Sequence, residues 1–152
     1  MTVHFVCRGN TYRSRLAEMY LNSKQLSDIK ATSSGIEADR NLSGIIGWYT
    51  QRIVQRHHLI QFEKPKWDQT TKDLLESGDF VVFMNEDIHK EVVEKFGFNG
   101  QKFEVWNIPD TGPTDPSWVA SSGDEKIVIT ENTYDEIKRK VDGLVLNKLK
   151  EN

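Results

Sequence analysis

The sequence has little of what marks several protein classes. It contains one cysteine in 152 residues, so an intrachain disulfide is impossible and a sulfur-rich metal site is not expected. A reducing compartment suits such a chain, and we expect a cytoplasmic protein. No apolar run approaches the ~20 residues that span a bilayer, and the N-terminus turns polar too early for a signal peptide. We therefore expect no membrane insertion.

An excess of charge of one sign is also lacking. Lys and Arg number 20 and Asp and Glu number 23, which gives a net charge of −3. Without a basic surplus, nucleic acid is not an expected partner. The length suits one domain with a real core, and we find no linker, repeat or low-complexity tract. We expect a single domain over residues 1–152.

Apolar patterns along the chain predict strands alternating with helices. The predicted strands are residues 3–6, 29–32, 80–84 and 103–106, and the predicted helices are residues 14–24, 45–58, 70–76 and 86–96. A segment rich in Gly, Pro, Asp and Ser covers residues 110–130. The last helix is predicted to begin at Thr133, which forms a capping-box pattern with Glu136.

This alternation predicts an α/β fold, a three-layer sandwich with a four-stranded parallel sheet and helices on both faces. In such folds ligands bind beyond the carboxyl ends of the strands. The first predicted strand ends at Val6, and the next residue is the single cysteine, Cys7. A lone cysteine is most often an inert buried side chain, so the residues around Cys7 must decide its role.

The segment CRGNTYRS, residues 7–14, joins the first strand to the first helix. A tight loop that enters a helix N-terminus points successive backbone N–H groups into one concavity, which holds an anion. Glycine permits close approach of the backbone to a ligand, and asparagine tolerates the left-handed conformation. We predict a phosphate-binding loop formed by Arg8, Gly9, Asn10, Thr11, Tyr12, Arg13 and Ser14.

The residue types in this loop suit nucleophilic chemistry on phosphorus. Positive potential at the helix N-terminus favours a thiolate at Cys7, which is then a nucleophile. The planar fork of Arg13 matches two phosphoryl oxygens and can follow them into the transition state. The Ser14 hydroxyl could donate to the sulfur and make it a better leaving group in a second step.

The CRGNTYRS loop after an apolar N-terminal strand resembles the phosphate-binding loop of the low-molecular-weight protein tyrosine phosphatases. Similarity continues in Ser33-Ser34-Gly35 after the second strand, in residues 57–59 (HHL) and in residues 79–87 (DFVVFMNED). It therefore covers most of the chain, although only the first motif is highly specific.

The resemblance implies roles for individual residues. Cys7 would be the nucleophile and Arg13 would bind phosphate, while hydrogen bonds from Asn10, Ser14 and Ser33 would order the loop. It also implies a protein tyrosine phosphatase that works through a phosphocysteine intermediate. Its substrate would be a phosphorylated protein or a small phosphomonoester, its product inorganic phosphate, and it would need no metal and no cofactor.

The general acid of the family is an Asp just after the fourth strand, usually followed by Pro. Asp110 directly follows the predicted strand and Ile108, whereas Asp115 precedes Pro116 but lies five residues further on. We prefer Asp110, because reach from the strand end constrains chemistry more than a dipeptide does. Asp115 is the second choice, and either Asp could instead simply form a turn.

The chain departs from the family at several positions. Tyr12 stands where many relatives carry a second cysteine, so no disulfide can protect an oxidised Cys7. The aromatic gate expected after Gly35 is missing, and Trp48 or Tyr49 either walls the pocket or belongs to the core. Residues 118–130 exceed a typical connection, which suggests a family-specific insertion near the active site.

Three alternatives stay open. Protein arginine phosphatases of this family typically carry Thr at the position of Thr11, and Glu37 and Asp39 near the rim would suit a phosphoguanidinium. A catalytically silent phosphate- or phosphoprotein-binding module, or a phosphocarrier, belongs to another class. Binding alone needs neither a nucleophile nor an acid, and Arg13 would stabilise hydrolysis in a carrier, so both are less favoured.

Overall fold

The structure, a computed structural model, describes residues 1–40, 46–112 and 115–149. Its centre is a sheet of four parallel strands with the order β2-β1-β3-β4. The strands are β1 (Thr2–Cys7), β2 (Lys30–Gly35), β3 (Phe80–Phe83) and β4 (Phe103–Val105). The predicted four-stranded parallel sheet is therefore confirmed.

Helices connect these strands and follow the last one. They are α1 (Arg13–Ser23), α2 (Trp48–Arg56), α3 (Lys72–Ser77), α4 (Glu86–Phe96), α5 (Pro116–Ala120) and α6 (Gly123–Leu144), which continues into a π-helical turn (Val145–Leu149). In the plane of the sheet, the step from β1 to β2 is directed toward one edge and the step from β3 to β4 toward the opposite edge. Right-handed crossovers then place α1 and α4 on opposite faces of the sheet. The sheet thus lies between helices, as predicted.

The central strands β1 and β3 are buried on both faces, which is why their sequences are almost continuously apolar. His4 is the exception within β1. Its ring is fully buried, with nitrogens 2.7 Å from Thr32 Oγ1 and 2.8 Å from Ser34 Oγ on the neighbouring strand. Burial lowers the pKa of His4 to about 4, so the ring is neutral at pH 7.

Strand β2 is longer than the apolar pattern predicted. It runs from Lys30 to Gly35, so Ser33-Ser34-Gly35 belong to the strand and do not follow it. The two serines are buried, and their hydroxyls are hydrogen-bonded to side chains of other elements. Polar residues can extend a buried strand when such partners exist, and this cannot be read from hydrophobicity.

The predicted start of the last helix was wrong. Helix α6 begins at Gly123, with Ser122 as N-cap and a reciprocal capping box to Glu125. Thr133 lies inside this helix, and its hydroxyl donates to the Ile129 carbonyl at 3.1 Å. The supposed insertion over residues 118–130 therefore consists mainly of the end of α5 and the first turns of α6.

Other helix boundaries differ by a few residues from the predictions. Helix α2 begins at Trp48, and residue 45, the predicted start, lies outside the described residues. Helix α3 begins after Thr71, whose hydroxyl accepts the Leu74 N–H. Within the described ranges, no helix is both long and apolar enough to cross a membrane.

Candidate active site

The loop after β1 closes against β2. Cys7 is the last residue of β1, and α1 begins at Arg13. Asn10 lies between them with φ of 56°, in the left-handed region that Asn adopts more readily than most residues. The Cys7 carbonyl accepts the Ile36 N–H at 3.0 Å, and the Arg8 carbonyl accepts the Glu37 N–H at 2.8 Å. These bonds join the loop to the segment after β2.

Gly35 lets the loop sit this close. A Cβ at this position would lie 2.6 Å from the Arg8 carbonyl oxygen and 2.7 Å from the Asn10 nitrogen. Both atoms belong to the backbone, so they could not move aside as a flexible side chain would. The glycine at the end of β2 is therefore required by the packing of the loop that we predict to bind phosphate.

The Cys7 sulfur lies at the base of the loop with two potential donors beside it. The Asn10 N–H donates to Sγ at 3.2 Å, and the Ser14 hydroxyl oxygen is 2.8 Å from Sγ. The residue itself is only 3% exposed, and it lines the cavity described below. This is the environment expected for a sulfur aimed into an anion-binding loop.

The directions of the hydrogen bonds around the sulfur follow from the number of available hydrogens. The Asn10 side-chain nitrogen donates to both Ser14 Oγ and Ser33 Oγ, each at 2.8 Å, which uses both of its hydrogens. Ser33 passes its own hydrogen to Glu18 Oε2 at 2.8 Å. The remaining hydrogen, on Ser14, is therefore directed to Cys7 Sγ.

The orientation of the Asn10 amide is itself determined. The Asp68 backbone N–H donates to Asn10 Oδ1 at 2.9 Å, so the amide nitrogen must face the two serines. Asp68 lies between α2 and α3, far along the chain from the loop. Packing of this distant segment thus decides which way the loop's hydrogen bonds run.

Glu18 terminates this network, and sequence reasoning missed it. It lies four residues after Ser14 on α1, so both side chains are on the same helical face. That spacing is the signal that could have revealed it. Burial raises the pKa of the Glu18 carboxyl, and the Lys64 ammonium, 3.8 Å from Oε2, acts in the opposite direction.

Lys64 is the second residue that the sequence did not reveal. Its ammonium donates to the Ser33 carbonyl at 2.7 Å and to Asp68 Oδ2 at 2.9 Å. Its own carbonyl accepts from Arg15 Nη2 at 2.8 Å, and Arg15 is fully buried. Burial lowers the pKa of Arg15, and the negative charge of Glu18 is the largest effect that opposes this. These contacts tie the segment before α3 to the back of the loop.

Arg13 is buried beside the opening, with only 1% of its side chain exposed. Nη1 donates to the Ile108 carbonyl at 2.9 Å, and Nη2 lies 3.2 Å from Asp110 Oδ2. Nε makes no hydrogen bond with any described residue. The segment after β4 thus fixes the orientation of the guanidinium, and its remaining N–H groups can donate to a ligand.

A cavity of about 260 Å³ opens above the sulfur. Its charged lining consists of Arg8, Arg13, Arg40, Glu37 and Asp110, and its remaining lining includes Cys7, Gly9, Thr11, Tyr12 and Thr111. Asn10 and Ser14 do not line the cavity, because their side chains lie behind it in the hydrogen-bond network. Three guanidinium groups against two carboxylates suit an anionic ligand.

The structure separates the two candidate acids. Asp110 lines the cavity, whereas Asp115 lies outside it and caps α5. Asp115 Oδ1 accepts the Ser117 hydroxyl at 2.8 Å and the Ser117 N–H at 3.0 Å. The Ser117 hydroxyl hydrogen bond lowers the pKa of the Asp115 carboxyl, with support from the backbone N–H groups. Asp115 therefore has a local structural role, as the N-cap of α5.

Of the residues predicted near the rim of the cavity, some line it and others do not. Glu37 lines the cavity and pairs with Arg8 at 3.5 Å, while Asp39 is not part of the lining. Trp48 is 65% exposed and Tyr49 is half-buried, so neither is a core residue and neither lines this cavity. Among the residues the structure describes, no group of His, Cys, Asp or Glu could hold a metal ion.

Tyr12, at the position of the second cysteine in many relatives, forms one wall of the cavity. Burial of its hydroxyl raises the pKa of Tyr12 to about 12, although the Thr133 and Thr111 hydroxyls beside it act in the opposite direction. The phenol is therefore neutral at pH 7. It adds an aromatic surface to the cavity without adding charge.

The sequence matches the family model described as Low molecular weight phosphotyrosine protein phosphatase over residues 2–152. A search of curated proteins found no match. Similar solved structures include a low molecular weight protein tyrosine phosphatase from T. tengcongensis, at 20% identity and a TM-score of 0.77 over 95% of this chain and 97% of that one.

Two further structures show a comparable likeness. The YwlE arginine phosphatase from Geobacillus stearothermophilus is 20% identical, with a TM-score of 0.68 over 99% of this chain and 97% of that one. A Cys-to-Ser mutant of YwlE arginine phosphatase with a phosphorylated active-site serine is 22% identical, with a TM-score of 0.71 over 97% of this chain and 98% of that one. At these identities the likeness establishes the shared fold.

Proposed function

The chain belongs to the low molecular weight phosphotyrosine protein phosphatase family, and from this premise we propose that it is a phosphomonoesterase with Cys7 as its nucleophile. The observation that carries the proposal is the common cavity of Cys7, Arg13 and Asp110. A nucleophile, a phosphate-binding guanidinium and a carboxyl group face one space of about 260 Å³. Binding of phosphate alone would not need all three.

The first half of the reaction transfers the phosphoryl group to sulfur. Backbone N–H groups of the loop and the Arg13 guanidinium hold the phosphoryl oxygens. The Cys7 thiolate attacks phosphorus, and the bond from phosphorus to the leaving oxygen breaks. Asp110 gives its proton to that oxygen, so the leaving group departs as a neutral alcohol or phenol.

The second half returns the sulfur to its starting state. A water molecule attacks phosphorus, the phosphorus–sulfur bond breaks, and Asp110 takes the proton of the water. Inorganic phosphate then leaves the cavity. Because the Ser14 hydroxyl donates to Sγ, it stabilises the thiolate as it departs. The phosphorylated active-site serine in the YwlE mutant supports a covalent intermediate of this kind.

We propose phosphotyrosine on proteins as the preferred substrate, in keeping with the family. Phosphoarginine is the second candidate, because Thr11 and the Glu37 carboxylate both line the cavity and could contact a guanidinium. The pairing of Glu37 with Arg8 reduces the negative charge that Glu37 can offer. Parallel measurement of kcat/KM on phosphotyrosine and phosphoarginine tests this preference.

The experiment that tests the activity is hydrolysis of p-nitrophenyl phosphate by the wild type and by Cys7→Ser in the presence of EDTA. We expect turnover by the wild type that survives EDTA and is lost in the variant. A wild type that binds phosphate without turnover would instead favour a phosphate-binding module. Transfer of the phosphoryl group to a second protein, with no release of phosphate, would favour a phosphocarrier.

A further inference from the structure

We call the cavity of about 260 Å³ above Cys7 the phosphate cavity. A second cavity, of about 310 Å³, adjoins it. We call it the aromatic groove; its lining includes Tyr12, Tyr49, Trp118, Gly47 and Thr111. Thr11, Tyr12 and Thr111 line both cavities, so these three residues form the wall between them. Only these side chains therefore separate a ligand bound at Cys7 from the groove.

The chemical character of the two cavities differs. Among the described residues, five charged side chains line the phosphate cavity, whereas those that line the aromatic groove are all uncharged. The rings of Tyr49 and Trp118 meet edge to face with centroids 5.3 Å apart. The Lys126 ammonium lies 5.2 Å from the Trp118 centroid and contacts that ring, but Lys126 does not line the groove. Such a surface favours an apolar side chain over a second anion.

The groove adjoins the residue that we propose to protonate the leaving group. Thr111, in the shared wall, directly follows Asp110, which in the proposed reaction protonates the leaving oxygen. The rest of the substrate is attached to that oxygen, so it must pass the same wall. The phosphorylated side chain occupies the phosphate cavity, which leaves the groove for a neighbouring residue of the substrate.

We propose that the aromatic groove binds an apolar side chain adjacent to the phosphorylated residue of a protein substrate. This inference rests on the proposed function and extends it to the substrate class. The enzyme would then select phosphorylated segments with a large apolar neighbour. Trp118 and Tyr49 would be specificity-determining residues, although neither lines the phosphate cavity.

Phosphopeptides test this proposal directly. The panel contains whichever of phosphotyrosine or phosphoarginine the enzyme hydrolyses faster, with Phe or Gly placed before or after it. We expect kcat/KM to be about tenfold higher for Phe at one of these two positions, as is typical for filling an apolar pocket. Equal values for all peptides would overturn the proposal.

Two opposite changes to the groove sharpen the test. Trp118→Ala removes one wall, and Gly47→Leu fills the space, since no other described part of the chain comes within 4 Å of a Cβ at Gly47. We expect each variant to lose the preference for Phe and to keep p-nitrophenyl phosphate turnover within about twofold of wild type. If the preference survives in both, the groove does not bind the neighbouring residue.

Matched controls lie away from the groove. Gly143→Leu adds the same side chain at another glycine with open space around its Cβ, and Leu146→Ala truncates a side chain that is 65% exposed. Both should retain the preference, and its loss in either would contradict the assignment. Failure of the proposed function is recognised separately, as wild-type p-nitrophenyl phosphate turnover that is absent or that Cys7→Ser retains.

Discussion

Asp110 Oδ2 lies 3.2 Å from Arg13 Nη2, so a half-exposed carboxylate is paired with a buried guanidinium. The pair connects the loop after β1 with the segment after β4. Arg13 can therefore hold a phosphoryl group and orient the proposed acid at the same time. This relationship favours Asp110 over Asp115 in the proposed mechanism, and it leads to a direct comparison of the two.

Asp110→Asn should lower kcat for alkyl and unactivated aryl phosphates by about 10²- to 10³-fold, since general acid catalysis contributes this much. Inhibition by inorganic phosphate should persist, because the loop and Arg13 remain. Asp115→Asn is the matched control and should keep kcat within about twofold and leave the cap of α5 in place, because Asn caps helices about as well as Asp. A larger loss of kcat in Asp115→Asn would reverse the assignment.

Ser14→Ala should slow breakdown of the phosphocysteine more than its formation. The variant loses the hydrogen bond to Sγ, which matters most when the thiolate departs. With p-nitrophenyl phosphate we expect a burst of p-nitrophenol, followed by a steady-state rate about tenfold or more below that of wild type. Stopped-flow absorbance measures both phases, and an equal slowing of the two would contradict this role.

Gly35→Ala should displace the loop, because its methyl group would meet two backbone atoms at less than 3 Å. A shift of about 1 Å in a catalytic group can cost about 100-fold in rate. We therefore expect a comparable loss of kcat/KM. Gly143→Ala, at a position with open space, is the control for the added methyl group. Unchanged kinetics in Gly35→Ala would mean that the loop is not held by this contact.

Stability should fall on mild acidification because of His4. Its pKa is lowered to about 4 in the folded protein and is near 6.5 when unfolded, so between these values the unfolded chain binds more protons. The stability that neutral His4 allows is complete above pH 6.5 and declines toward pH 4. At pH 5 the loss is about 2 kcal/mol.

Urea unfolding of wild type and His4→Asn at pH 7.5 and 5.0 measures this contribution. The variant should lose less stability between the two pH values than wild type does. Glu18 acts in the other direction, since its raised pKa makes the folded state bind a proton more readily. The comparison between variant and wild type at each pH removes that influence, and identical pH dependence would exclude His4 as the source.

Oxidation should inactivate the enzyme with poor recovery. Cys7 is the single cysteine, so a sulfenic acid cannot be protected by an intrachain disulfide and proceeds to sulfinic acid. After prolonged hydrogen peroxide, dithiothreitol should restore little p-nitrophenyl phosphate turnover. Inorganic phosphate present during the treatment should slow the loss, because it covers the sulfur. Full recovery would contradict the prediction.

The sequence predicted most accurately the strands that are buried along nearly their whole length. Strands β1 and β3 are apolar along nearly their whole length, and the loop between β1 and α1 has a distinctive pattern. The beginning of α6 was missed because its buried residues start only at Thr130, and the apolar residues 127–129 of its first turns are consecutive and form no stripe on one face. The Ser122 and Glu125 capping pattern was present but had no such stripe behind it.

The site shows the same division. Residues of the loop are consecutive, so their proximity follows from the chain itself. Lys64 and Asp68 reach the loop only through packing of the segment after α2, and no spacing rule links them to Cys7. Distance from the strand end already favoured Asp110 over Asp115, but only three-dimensional positions show that Asp110 lines the cavity and that Asp115 caps α5.

Asn10 shows how little of this arrangement depends on shape. An aspartate at the same place would be isosteric, yet its carboxylate would have no hydrogen to give. Both serine hydroxyls would then turn toward the new negative charge, and the sulfur would lose the donor it now receives from Ser14. The hydrogen bond from Ser14 to the Cys7 sulfur thus depends on the two hydrogens of the Asn10 side-chain nitrogen.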